Sequence, residues 1–166
     1  MRVHGRGGAG GGAVATIPFW ATGGEDGSNL TASANSLCLT GFSLPASCQF
    51  GHIVAHIATA DGAHNSDIGV YDSTGTLKAN IGAQALAASG VQTFAILQGL
   101  ITITAGMYFM AFTSAGSILQ IWTDSQKLSP FKSGSYGVSV GGALPASITP
   151  PTLAVDQVSL NCALIT

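Results

Sequence analysis

Charge is what this sequence lacks most. Only 7% of its 166 residues are Asp, Glu, Lys or Arg, against about a quarter in a typical soluble domain. No charged residue occurs between Ala79 and Thr123. Because a free monomer normally keeps mixed charges on its surface to remain soluble and unassociated, this deficit favours a subunit that buries surface against its neighbours. The net charge of −2 and the lack of a basic face predict no nucleic-acid partner.

Long apolar runs are also lacking. A helix that spans a membrane needs about 20 consecutive apolar residues. The uncharged stretch from Ala79 to Thr123 is instead interrupted by five glycines and contains Gln, Ser and Thr. We therefore expect no membrane span, and the start of the chain has no apolar region that would predict a secretory signal.

Cysteine is scarce, with Cys38, Cys48 and Cys162 as the three examples. Their spacing is unlike that of a metal site. We expect three buried thiols that pack as small apolar residues. A disulfide between Cys38 and Cys48 across a hairpin is the alternative.

Catalytic and metal-binding patterns are sparse. His52 and His56 are four residues apart, and on a strand this spacing separates them by about 13 Å, too far to share one ion. Asp61, His64 and Asp67 follow nearby, and we interpret them as turn and surface polar groups rather than as part of a loose metal site. The Gly-x-Ser-x-Gly nucleophile motif does not occur. The sequence thus predicts a protein that is not an enzyme, with no catalytic residues, no metal site and no cofactor.

Short segments of β character dominate the chain after residue 35. About ten runs of alternating or β-branched residues are separated by Gly, Pro, Asp, Asn and Ser, which is typical of a sandwich or barrel. We therefore predict an all-β fold, an antiparallel β-sandwich of jelly-roll-like form, with at most one helical turn at residues 82–90. The predicted strands are 36–42, 49–59, 67–71, 77–81, 91–97, 100–104, 107–113, 117–123, 136–140 and 155–164.

Two of these runs predict which side chains face the core. Alternation over residues 49–59 places Phe50 on the same face as His52 and His56, opposite Ile53. The run 107–113 is apolar on both faces, which indicates a central strand or a strand covered by a partner.

The N-terminal region differs from the rest in composition. We predict an extended arm and loop over residues 1–35 and the sandwich domain over residues 36–166. The first 16 residues hold six glycines, so this segment loses much entropy on ordering and offers little apolar surface in return. We expect it to dock on neighbouring subunits, where glycine permits close backbone approach, although residues 17–20 are equally suited to a first core strand. The predicted interface residues of the arm are Arg2, Arg6, Phe19 and Trp20.

Four motifs connect residues 42–112 with a known family. They are TAD at 59–61, DIGVYDSTGTL at 67–77, GVQTF at 90–94 and ITITAGMYF at 101–109. With these motifs the segment resembles a β-sandwich module of the structural proteins of tailed bacteriophages. The resemblance covers less than half of the chain and implies a virion component, which is a head decoration protein, a fibre or a tail-tip module.

These observations lead to a functional hypothesis. We expect a head decoration or cement protein that stabilises the capsid by non-covalent contacts, with the major capsid protein or other virion proteins as partners. It would be made in the bacterial cytoplasm and would lie on the outer surface of the phage particle, most favourably as a homotrimer.

The alternative is a tail or fibre component whose sandwich binds a host-surface glycan. Tyr71 and Trp122 are then the candidate ligand or partner surface, because exposed aromatic rings stack on sugars and anchor interfaces. The competing interpretation, which we favour, places both rings in the core. A secreted carbohydrate-binding module is a third and weaker hypothesis.

Overall fold

The computed structural model describes residues 29–124, 133–138, 141–150, 159–160 and 162–166. In these residues the fold is all-β and antiparallel, which confirms the predicted fold class of a β-sandwich. The strands are β1 (Asn29–Thr31), β2 (Ser36–Leu44), β3 (Cys48–Phe50), β4 (His52–Thr59), β5 (Asp61–Asp72), β6 (Leu77–Asn80), β7 (Gln84–Leu86), β8 (Gly90–Ala95), β9 (Ile101–Ile103), β10 (Gly106–Ser114), β11 (Gln120–Asp124), β12 (Ser133–Val138), β13 (Ser159–Leu160) and β14 (Cys162–Ile165).

Two six-stranded sheets carry most of the structure. In the first, called sheet A, β4 pairs with β8, β11 and β14, and β11 pairs in turn with β1 and β13. In the second, called sheet B, the order is β12-β2-β10-β5-β6, and β7 pairs with β5. A two-stranded sheet joins β3 to β9. Consecutive strands such as β4 and β5 lie in different sheets, so the chain crosses repeatedly between them.

The main core contains side chains from both large sheets. Phe42 and Phe112 of sheet B and Ile53 and Ile121 of sheet A are all fully buried in one cluster. Burial of a large apolar side chain stabilises the fold by about 1.5–3 kcal/mol. The charge-poor sequence therefore has an ordinary apolar core, and its peculiarity lies at the surface.

The predicted strand over residues 49–59 is divided in two. Gly51 lies between the end of β3 and the start of β4, and this break shifts the alternation by one position. As a result Phe50 is fully buried together with Ile53, while His52 is only half-buried. The prediction that Phe50 shares a face with the histidines was wrong.

Strand β10 is central, as its two apolar faces predict. It pairs with β2 on one edge and with β5 on the other. One face packs in the main core. The other face, with Phe109 and Ala111, packs in a second cluster whose further members include Tyr71 and Leu144. This second face is covered by residues 141–150 of the same chain.

The segment expected to hold a helical turn contains a strand instead. Residues 84–86 form this strand, so no helical turn occurs at 82–90. Residues 29–31 pair with β11 in sheet A, so the sandwich begins earlier than the predicted boundary at residue 36. Arg2, Arg6, Phe19 and Trp20 of the predicted arm lie outside the described residues. Across the described ranges, no helix is long and apolar enough to cross a membrane.

The three cysteines are free and buried, so the disulfide alternative is not adopted. Burial raises the pKa of the Cys38 thiol to about 11 and that of the Cys162 thiol to about 12. Thiols with such pKa values are poor nucleophiles at neutral pH. This agrees with the prediction that the cysteines act as small apolar residues.

Candidate functional site

Among the described side chains, the acids and the lysine are confined to one part of the sandwich. Among the side chains that the structure describes, the Asp and Lys residues all lie on β5 or on the adjacent strand β6: Asp61, Asp67, Asp72 and Lys78. Asp61 and Asp67 are buried. Asp72 and Lys78 form an ion pair of 3.7 Å at the surface, which contributes little because solvent screens it.

Asp61 is a structural turn residue. Its Oδ1 accepts hydrogen bonds from the backbone N–H groups of Ala63 and His64, and its Oδ2 lies 2.8 Å from Nδ1 of His64. Burial opposes ionisation, but these contacts outweigh it and lower the pKa of Asp61. A Cβ at Gly116 would come within 2.5 Å of both Asp61 and His64, so the pair closes tightly onto the turn after β10.

Asp67 is a second buried acid with its own network. Its Oδ2 accepts hydrogen bonds from Nδ2 of Asn80 at 2.7 Å and from the backbone N–H of Leu144 at 3.1 Å. Nε2 of Gln98 extends the network to Oδ1 of Asn80. Burial raises the pKa of Asp67 in spite of these hydrogen bonds. The interpretation of Asp61 as a turn group is thus confirmed. The interpretation of Asp61 and Asp67 as surface groups was wrong, because both side chains are enclosed and hold neighbouring segments together.

The histidines and acids that the structure describes do not converge on a common point. His52 and His56 lie on β4 with Val54 between them. Within the described part of the chain, no group of three or more His, Cys, Asp or Glu side chains is placed to hold an ion.

The two aromatic candidates have different outcomes. Tyr71 is fully buried, and its hydroxyl donates a 2.6 Å hydrogen bond to the carbonyl oxygen of Pro145. Burial and the nearby carboxylate of Asp67 raise the pKa of Tyr71. Its ring is not a surface for a ligand or a partner, so this candidate was wrong and the core interpretation holds. Trp122 lies on β11 opposite Asn29, and its side chain lies outside the described part.

A polar cleft of about 330 Å³ lies between the 72–78 hairpin and the β9–β10 hairpin. Several of its polar groups are already engaged within the chain. Oδ1 of Asp72 accepts hydrogen bonds from Thr74 and Thr76, and the hydroxyl of Tyr108 donates to the carbonyl oxygen of Thr104. The cleft offers a ligand mainly the Lys78 ammonium and threonine hydroxyls, without an exposed aromatic face.

The most unusual surface is the free edge of β8. This strand pairs with β4 from Gly90 to Ala95 along one edge, and no described strand pairs with its other edge. Natural edge strands usually carry lysine, proline, a bulge or a covering loop that prevents pairing with another chain. The sequence of β8, GVQTFA, has neither a charge nor a proline.

Apolar side chains accompany this free edge. Val91 is 62% exposed, and Leu97 and Leu100 in the loop that follows β8 are 70% and 63% exposed. Thr93 and Ala95 are exposed between them. We call these five residues, with the backbone of β8, the open edge. An uncharged strand edge beside exposed leucines is the arrangement that associates with another polypeptide.

The sequence contained a signal for this surface, which is the absence of charge from Ala79 to Thr123. It did not reveal which strand of that stretch lies at the edge, because strand order is set by long-range pairing. Comparison with known protein families, with curated proteins and with solved structures finds no match.

Proposed function

We propose that this chain is a non-enzymatic structural protein of a tailed-bacteriophage virion, a head decoration or cement protein that stabilises the capsid by non-covalent contacts. The observation that carries an assembly role is the open edge, which is uncharged and unpaired in the described residues. The resemblance of residues 42–112 to phage structural modules supplies the setting. The partners in this proposal are the major capsid protein and further copies of the chain, with a homotrimer favoured.

A decoration protein of this kind acts through many weak contacts. Because its surface carries little charge, burial against a neighbour leaves few charged groups without water or a partner. Repetition over a symmetric shell then adds these contacts in parallel. The protein would stabilise the shell without any chemical step.

The copy number of the chain in purified phage particles tests the proposal, measured by quantitative mass spectrometry against the major capsid protein. Hundreds of copies support head decoration. A few dozen copies or fewer support a tail or fibre position, and absence from the particles contradicts the virion role. Deletion of residues 1–16 is expected to abolish incorporation while the domain stays folded, and normal occupancy would contradict the role of the arm.

The second candidate is a tail or fibre component that binds a host-surface glycan. The polar cleft beside Lys78 favours it, since sugars are bound by hydroxyl and charged side chains in concave sites. A glycan array with the purified chain tests this function. Saturable binding that is lost in Lys78→Ala or Trp122→Ala supports it, and a blank array favours decoration.

A further inference from the structure

The open edge has the dimensions of a site for one added strand. Six residues, Gly90 to Ala95, present their outer edge, and at about 3.3 Å per residue they extend over about 20 Å. The backbone N–H and C=O groups along such an edge can pair with an extended segment of another chain, a mode of recognition known as β-augmentation. Affinity then comes from main-chain hydrogen bonds, and the apolar side chains alongside add buried area.

The chain enters sheet A on the opposite side from this edge. Gln120 and Ile121 of β11 pair with both β1 and β4, so these two strands lie on opposite edges of β11. Strand β8 lies beyond β4. The order is therefore β1, β11, β4, β8, and at about 4.8 Å per step β1 lies about 14 Å from β8. Asn29, the first described residue, thus lies on the side of sheet A away from the open edge.

One segment before Asn29 has the chemistry to fill the site. Residues 13–17, AVATI, contain three β-branched side chains, and no charged residue occurs from Gly7 to Gly24. Pro18 has no N–H to donate and ends a paired segment at that point. The five residues before Pro18 nearly match the six of β8. Since neither side carries a charge, pairing would bury none without a partner.

We propose that residues 13–17 of one copy add a strand to the open edge of β8 in a neighbouring copy. This inference rests on the assembly role proposed above and names the contact through which two copies would assemble. Because the donated segment and the accepting edge of β8 are different parts of the chain, the contact joins unlike surfaces head to tail. Such contacts close into rings when the rotation permits, and a three-membered ring matches the favoured homotrimer. Docking on the chain's own β8 would require residues 18–28 to recross sheet A, and docking on a neighbour does not.

Cysteine cross-linking between two differently marked copies tests the contact. One full-length chain carries Ala15→Cys and the other carries Thr93→Cys, with Ala13→Cys and Ile17→Cys to bracket the register. Cβ atoms of facing residues on paired strands lie about 4.5–5.5 Å apart, near the distance that a disulfide bridges. The wild-type chain is the blank because its three cysteines are buried. Ser43→Cys, at an exposed position on β2 of sheet B, is the control for random collision.

The expected result is a two-chain disulfide that forms on mixing and is absent with the control. A disulfide between two Thr93→Cys chains would indicate a two-fold β8–β8 contact and would overturn the inference. A disulfide formed only within one chain that carries both cysteines would overturn it as well, because the arm would then fold back on its own domain.

Sedimentation of the unmodified chain separates this inference from the function on which it rests. An oligomer without arm–edge disulfides overturns the inference and leaves the assembly role in place. A monomer that is also absent from particles overturns both.

A charge placed on the edge gives an independent measurement. Thr93→Lys is expected to weaken self-association by about tenfold or more, since lysine on an edge strand disfavours pairing with another chain. Ser43→Lys, with the same charge on an exposed strand position of sheet B, is expected to leave the association constant unchanged. Deletion of residues 1–20 should weaken self-association as much as Thr93→Lys does. Adding Thr93→Lys to the deletion should weaken it no further. Additive effects of the two changes would contradict a shared contact.

Discussion

Two apolar surfaces of this sandwich differ in what covers them. On the outer side of sheet B, the apolar face of β10 is covered by residues 141–150 of the same chain. At the edge of sheet A, the outer edge of β8 pairs with no strand that the structure describes. The first surface belongs to the folding of the domain, and the second is the surface for which we propose a partner.

The covered surface shows what a permanent cover requires. Leu144 supplies apolar contact, and its backbone N–H donates to Asp67. Tyr71 donates to the carbonyl oxygen of Pro145, and the N–H of Leu77 donates to the carbonyl oxygen of Ala146. The cover is thus held by buried polar groups that need their partners. The open edge has no comparable buried side chains, so a partner there must bring its own backbone donors and acceptors.

The largest effect is expected from a change in the turn that starts the cover. Gly141 and Gly142 both have positive φ, +61° and +74°. A Cβ at Gly142 would overlap the carbonyl oxygen of Asn65, whereas a Cβ at Gly141 meets nothing within 4 Å. Gly142→Ala should therefore lower the free energy of unfolding by about 3 kcal/mol or more, from left-handed strain plus displacement of the backbone.

Gly141→Ala is the matched control for that variant. It carries the left-handed strain alone, which costs about 1–2 kcal/mol. Urea unfolding of both variants measures the difference. Equal losses would contradict a tight contact between this turn and β5.

The second effect compares one leucine from each surface. Leu144→Ala removes apolar contacts from the second cluster and should lower the free energy of unfolding by about 2–3 kcal/mol. Leu100→Ala changes a side chain that is 63% exposed and should change stability by less than about 0.5 kcal/mol. Thermal unfolding at a concentration where the chain is dissociated measures both.

The same two variants are expected to show the opposite order of effect on self-association. Leu100→Ala is expected to weaken association because it removes apolar surface next to β8, and Leu144→Ala is expected to leave association unchanged as long as the domain is folded. Sedimentation equilibrium checks this. A stability loss at Leu100 equal to that at Leu144 would mean that the open edge is part of the fold and not a surface for partners.

Local sequence patterns predicted much of this fold. The apolar faces of β10 predicted a central strand because alternation reports burial on each side of a strand. The missing charge between Ala79 and Thr123 predicts an associating surface, and association itself stays a prediction. Both features can be read from a continuous stretch of sequence. Both predict the composition of a surface but not which element lies beside it.

The features that local patterns did not predict depend on long-range contacts. Tyr71 is enclosed by Pro145, which is 74 residues away, so no local pattern distinguished it from an exposed ring. The break at Gly51 shifted Phe50 into the core, since one residue of offset exchanges the two faces of a strand. Asp67 was misjudged for a related reason: Leu144, one of its two principal donors, lies on the distant covering segment.

The smallest effect is the pH dependence of stability that Asp67 gives to the covered surface. Burial raises the pKa of Asp67 above its ordinary value despite the hydrogen bonds from Asn80 and Leu144. The folded state therefore binds this proton more tightly than the unfolded state. Stability due to Asp67 is highest below the ordinary pKa of about 3.9 and falls as the pH rises through the raised pKa.

Asp72 has the opposite sign and serves as the control. Burial opposes its ionisation, but hydrogen bonds from Thr74 and Thr76 lower its pKa, so its contribution is lost as the pH falls. Urea unfolding across a pH series should show that Asp67→Asn removes a decline in stability with rising pH, while Asp72→Asn removes a decline with falling pH. A pH profile of Asp67→Asn that is parallel to the wild type would mean that the cover over β10 does not depend on the ionisation of Asp67, and that its hydrogen bonds to Asn80 and Leu144 act through geometry alone.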